Sequence, residues 1–129
     1  MIGKAIYDIL SSDGTVSGYV ATRIYPDTVP QNADFPYIAY SVISTLPTNA
    51  KDGVSRMDLT GVQIDIYSRD YSDTQAIAVA ARAALDRYSG TNNTVIINSA
   101  VFANQSGGAY EPEIGVYWIS QDYNIRVNR

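Results

Sequence analysis

Three prolines, Pro26, Pro30 and Pro36, interrupt an otherwise aromatic and apolar stretch, RIYPDTVPQNADFPYIAY at 23–40. Each ring holds φ near about −65°, removes a backbone donor, and turns the residue before it, Tyr25, Val29 or Phe35, toward extended geometry. No helix runs through such a segment. An extended strap with few hydrogen bonds of its own must be fastened through Tyr25, Phe35 and Tyr37, either to the core of its own chain or to a neighbouring subunit.

The patterns on either side of the strap are readable. Ile2, Ala5, Ile6, Ile9 and Leu10 fall on one helical stripe and predict a helix over 2–11. SSDGTVSG, at 11–18, reads as a turn rich in local side-chain to backbone bonds. Short strands are expected at 23–25 and, rich in Tyr, Ile and Val, at 37–45; Asp52 and Gly53 then sit in a long loop. From 58 to 67 the chain alternates, with Val62, Ile64 and Ile66 on one face and Gln63, Asp65 and Tyr67 on the other. A helix follows: Ser72 and Gln75 form a capping-box pair, Asp73 adds charge at the positive end, and Gly90 lies just past the last turn. Its stripe is Ile77, Ala80, Ala81, Ala84, Leu85 and Tyr88, small enough for close approach to a sheet. Two further strands are expected at 94–103 and 116–127, with Gly107 and Gly108 in the turn region between them. The second places Tyr117, Ile119, Tyr123, Ile125 and Val127 on one face.

These elements predict an α+β fold: a mostly antiparallel sheet of four to five strands, with two helices packed on one face and strands 37–45 and 58–67 joined as a long hairpin. At 129 residues and 46% hydrophobic content the chain suits one domain, 1–129, burying roughly two-thirds of the surface its unfolded form exposes. Such a sheet has an open edge, a liability in a monomer and a joining surface in an assembly.

Most catalytic chemistry is excluded by composition. Cysteine and histidine are both absent, which removes disulfides, thiolate metal sites and the usual base for a serine nucleophile. A formal net charge of −4, with nine scattered basic residues, argues against a grip on nucleic acid. No apolar run approaches the roughly 18 residues of a membrane span, and no signal segment is visible, so the expected setting is a cytosol.

Glu111 and Glu113 flank Pro112 in what reads as extended chain, a spacing of about 7 Å that would suit an inverting glycosidase, but nothing nearby suggests a pocket that raises a carboxyl pKa. Asp65 lies mid-strand, and Asp58 and Asp70 stand at no recognised metal-loop spacing; a solvated sheet face is the simpler reading. GGAY at 107–110 and DGTVSG at 13–18 lack phosphate-loop spacing. Trp118 and the eleven tyrosines suit core and subunit contacts better than base stacking. No catalytic, metal or cofactor residue is expected.

RIYP, a short polar spacer and FPYIAY resemble the opening of the small tail-completion or tail-terminator proteins of long-tailed bacteriophages. LPTNAKDG at 46–53 is similar to that family's variable loop, DLTGVQIDIYSRDYSDTQAIAVAARAAL at 58–85 to its strand and helix, and EPEIGVYWISQDYNIRV at 111–127 to its last strand. The resemblance covers nearly the whole chain. It implies a non-enzymatic virion protein of a phage or prophage, made in the host cytoplasm. It further implies a hexameric ring at the head-proximal end of the tail tube, ending tube growth and presenting the surface that joins the head. Partners would be copies of itself, the tail tube protein and the head–tail connector protein, with DNA passing through the ring unheld and no membrane involved. A head-side connector or neck protein is the alternative within the same class; a soluble binding module or small enzyme is the alternative outside it.

Interface candidates then follow. Arg23, Tyr25, Phe35 and Tyr37 on the strap are local plugs or anchors on a neighbour. The segment 46–56, with Lys51, Asp52 and Arg56, is a hairpin end or an arm that orders on assembly. Arg82 and Arg87 complement the negative end of their helix or bridge to another subunit.

Overall fold

The computed structural model describes residues 2–50, 53–92 and 94–128. Helix α1, Ile2–Ser12, buries Ala5, Ile6, Ile9 and Leu10, the expected stripe. The expected turn after it is instead a second helix, α2, Gly14–Val20. Asp13 caps it in extended conformation, its carboxylate accepting the Val16 N–H at 2.9 Å. Gly14 and Gly18 each cost a helix up to about 1 kcal/mol relative to alanine. Val16 and Val20, four residues apart and both fully buried, contribute about 1.5 kcal/mol or more apiece and outweigh that cost.

Six strands follow in one sheet: β1 Ile24–Pro26, β2 Tyr37–Ala50, β3 Gly53–Ser68, β4 Gly90–Asn92, β5 Val95–Glu111 and β6 Val116–Asn128. Their order is β1-β2-β3-β6-β5-β4. Only β1 and β2 run parallel; the other neighbours are antiparallel. The α+β class and the long β2–β3 hairpin are as expected, with β4 and α2 added. The hairpin runs much further than its apolar pattern suggested, because Leu46↔Leu59 through Ala50↔Gly53 stay paired where a long loop was expected. Lys51 and Asp52, at its tip, lie outside the described residues, as does the side chain of Arg56.

Helix α3, Tyr71–Leu85, lies between β3 and β4. Its cap is Asp70, not Ser72: the Asp70 carboxylate accepts the Asp73 N–H at 3.1 Å, and the buried Ser68 hydroxyl accepts the Asp70 N–H. The end of β3 thus fixes the first turn. The helix stops at Asp86, four residues before Gly90, because the Asp86 carboxylate accepts the Phe102 N–H of β5 at 2.9 Å and draws the chain onto the sheet. The turn between β5 and β6 is 112–115, with Gly115 at φ +65°. Gly107 instead lies within β5 opposite Ile119.

All three helices cover one face of the sheet. Ile38, Val62, Ile64, Ile66, Ile119, Tyr123 and Ile125 meet α1 and α3 residues there in a single core. Helix α1 touches β1, β2 and β4, strands from opposite edges, so the sheet curls around the helical layer. No helix lies on the other face among the described residues.

Candidate assembly surface

At one end of the open face the strap folds back over its own sheet. Tyr25, Tyr37 and Tyr67, on β1, β2 and β3, form a ring ladder with centroids 6.0 and 5.1 Å apart. Phe35 stacks on Tyr37 at 5.1 Å. Above Phe35, at 4.7 Å, lies the guanidinium of Arg69, which also donates to the Ile114 carbonyl at 3.2 Å. Arg23 ties the other side: its Nε donates to the Pro36 carbonyl at 2.9 Å and its Nη2 to that of Tyr19 at 3.2 Å. The strap is therefore fastened to its own chain, and each aromatic ring keeps an exposed rim. Burial raises the pKa of Tyr37, with Tyr25 adding to it, and that of Tyr67, with Asp65 and Tyr37 adding.

The middle of the open face is polar. Gln63 donates to the Asp65 carboxylate at 3.0 Å. Asp65, Tyr67, Glu111, Trp118 and Ser120 line a shallow hollow with it, about 290 Å³ in volume. Trp118 lies against Gly107, where a Cβ would meet its ring and its carbonyl at 2.8 Å. Glu111 ends β5 and Glu113 stands in the turn, both exposed, so the extended geometry expected of this carboxylate pair is not formed. Among the described residues no three acidic, histidine or cysteine side chains converge as a metal site.

Beneath the helices a buried polar chain crosses the core. Gln121, fully buried, donates from Nε2 to the Ala78 carbonyl of α3 and to Gln105 Oε1, both at 2.9 Å, and accepts the Tyr123 hydroxyl at 2.8 Å. Burial, aided by Asp86 and opposed by Arg82, raises the Tyr123 pKa far above its usual range. Arg82 lies 3.9 Å from the Phe102 ring and the same distance from the Asp86 carboxylate. Arg87, past the helix end at φ +65°, is exposed. On the outer side of α3 an apolar groove of about 570 Å³ runs between Thr15 of α2 and Ala76, Val79 and Ala83, with Val79 71% exposed.

The edges complete the surface. β1 covers only Ile38 to Tyr40 of β2, extended by the Asp27 N–H bonding to the Tyr40 carbonyl. Among the described residues no strand pairs with the outer edge of β2 from Ser41 to Ala50. β4 covers Val95 to Ile97 of β5, and the backbones of Arg87 and Tyr88 hold Ala100. Among the described residues no strand lies beside 103–110. Val42, Ile43 and Leu46 stand exposed along the first edge, Leu46 at 58%. Sequence reasoning anticipated an open edge but missed Gln121, Arg69 and which strands were outermost. The signal was present: Tyr37 to Ala50 and Val95 to Tyr110 contain no charged residue.

No helix among the described residues is long and apolar enough to cross a membrane. No curated protein matches the chain in sequence. In fold the chain is similar to a chain from the virion of a native gene transfer agent particle, with a TM-score of 0.79, 17% identity, and coverage of 97% of this chain and 92% of that one. The model of the family described as tail completion protein gp17 matches residues 4–128, from α1 to the end of β6. Strap, curled sheet and helical layer all fall within that match, and the chain belongs to the tail completion protein gp17 family.

Proposed function

We propose that this structural, non-enzymatic tail protein of a phage-like virion acts as a tail terminator. Six copies form a ring on the head-proximal end of the tail tube, stop its polymerisation, and offer the opposite ring face to the head–tail connector protein. The observation that carries the reading is the pair of long edges on one sheet that no strand covers among the described residues, apart from three residues each beside β1 or β4. Unpaired backbone groups on such edges are satisfied by water in the free chain and by other strands in an assembly. Closure then follows from mass action on a domain that already folds around its own core. With a net charge of −4, the ring lets DNA pass without holding it.

The strap, being pinned by Arg23 and Arg69, serves first as a brace and second, through the exposed rims of Tyr25, Phe35 and Tyr37, as a contact for the tube or the next protomer. Arg82 and Arg87 add rim charges.

The test is electron microscopy of lysates from a phage or prophage lacking this gene. Overlong or irregular tails beside unattached filled heads are expected. Tails of normal length that fail to join would move the protein to the head side, and normal virions would overturn the reading.

A further inference from the structure

Soluble proteins blunt their sheet edges with charged side chains, prolines, bulges or covering segments. Here the charges sit on the inner strands: Arg56, Asp58 and Asp65 on β3, Asp122 and Arg126 on β6. The outer strands carry none between Tyr37 and Ala50 or between Val95 and Tyr110. Bulges interrupt both outer strands, at Val42/Ser44 and Pro47/Asn49 in β2 and at Phe102/Asn104 and Gly107/Ala109 in β5. Between those bulges each keeps one regular four-residue run, 44–47 and 104–107, with no strand on its outer side among the described residues; Pro47, without an N–H, ends the first.

We infer that these two runs pair with each other between successive copies of this chain, 44–46 of one protomer adding antiparallel to 104–106 of the next. Three observations select a second copy as the occupant. First, β2 and β5 run in opposite directions within the sheet, because β3 and β6 alternate between them. Repeating the protomer head to tail therefore sets β2 against β5 antiparallel, and each copy supplies one edge of each kind, as a closed ring requires. Second, both paired segments lack charge, so neither opposes the other. Third, the pleats agree. Ser44 lies over Gly61 on the open face, while Ser106 pairs with Ser120 on that same face and Gln105 with buried Gln121 on the helical one. Placing Ser44 opposite Ser106, Thr45 opposite Gln105 and Leu46 opposite Asn104 continues both faces across the joint.

The two runs are not level within one protomer, since Gln105 shares its row with Tyr40 through Gln121 and Ile64. Joining them shifts each neighbour along the strands by roughly 15 Å at about 3.4 Å per residue, so the strands lean away from the ring axis. The inference rests on the ring reading above but identifies the joint within it.

The absence of cysteine makes the test clean. The full chain carrying Ser44→Cys with Ser106→Cys, and a second variant pairing Ser44→Cys with Asn104→Cys for a shifted register, are oxidised across a concentration series beside each single substitution. Native mass spectrometry of the unsubstituted chain is run in parallel. An intermolecular disulfide in either double variant, yielding a ladder that ends at the ring, is the expected result. A ring of unchanged mass with no such disulfide overturns the edge pairing and leaves the ring standing. A chain monomeric at every concentration, with no disulfide, overturns both. Ser44→Lys with Ser106→Lys should raise the concentration needed for assembly at least tenfold, with circular dichroism unchanged.

Discussion

The inner and outer strands of this sheet are built on opposite rules. β3 and β6 pair over twelve residues, Met57↔Asn128 to Ser68↔Tyr117, bury isoleucines on the helical face and place Asp65, Asp122 and Arg126 on the open one. Among the described residues β2 and β5 expose Ile43, Leu46 and Val101, carry no charge from Tyr37 to Ala50 or from Val95 to Tyr110, and have no strand beside 41–50 or 103–110. Ile38 and Tyr40 of β2 and Val95, Ile97 and Ala100 of β5 join the core, while the exposed positions further along add little to the stability of the isolated domain. The lesson of the contrast is that the core is centred on the inner pair, while the proposed joint would draw on the unpaired backbone of the outer pair.

The largest break in that contrast is expected at Ile64, fully buried on β3. Ile64→Ala should cost about 2–5 kcal/mol of unfolding free energy, read by denaturant titration. Next comes Gly107→Ala, whose Cβ meets Trp118 at 2.8 Å with φ at +103°. It should cost roughly 1–3 kcal/mol, and an unchanged midpoint would show that β5 yields more readily than its neighbours. Gln121→Ala leaves the Tyr123 hydroxyl and the Ala78 carbonyl without their partner, for about 1–3 kcal/mol.

The pH dependence follows from Tyr123. Its folded pKa is raised, so its contribution is fully present below the unfolded value of about 10 and falls as pH rises above that, where the unfolded chain ionises first. Tyr37, Tyr40 and Tyr67 shift the same way. Thermal melts should therefore decline above pH 10, and Tyr123→Phe should flatten part of that slope. The smallest effect is expected on the outer strand: Leu46→Ser, 58% exposed, should change monomer stability by less than about 0.5 kcal/mol while weakening self-association. Equal loss of stability at Leu46 and Ile64 would erase the distinction between the two kinds of strand.

The sequence by itself determined the elements whose signal is local and repeated. The helical stripe at Ile2 to Leu10, the alternation at Val62, Ile64 and Ile66, and the three prolines of the strap set α1, β3 and the irregular crossing, because their apolar period or fixed φ leaves one low-energy conformation. They also set the fold class and, through the ordered motifs, the family. Only the tertiary structure decided the rest. Burial of Val16 and Val20 turned a glycine-containing loop into α2, the buried end of β3 moved the cap of α3 from Ser72 to Asp70, and Phe102 ended that helix at Asp86. Trp118 drew Gly107 into a strand, and Gln121 found the Ala78 carbonyl forty-three residues away. Strand order, and with it the two uncovered edges, came from long-range pairing that no local pattern encodes, because a strand's alternation records which face is buried and not which strand lies beside it.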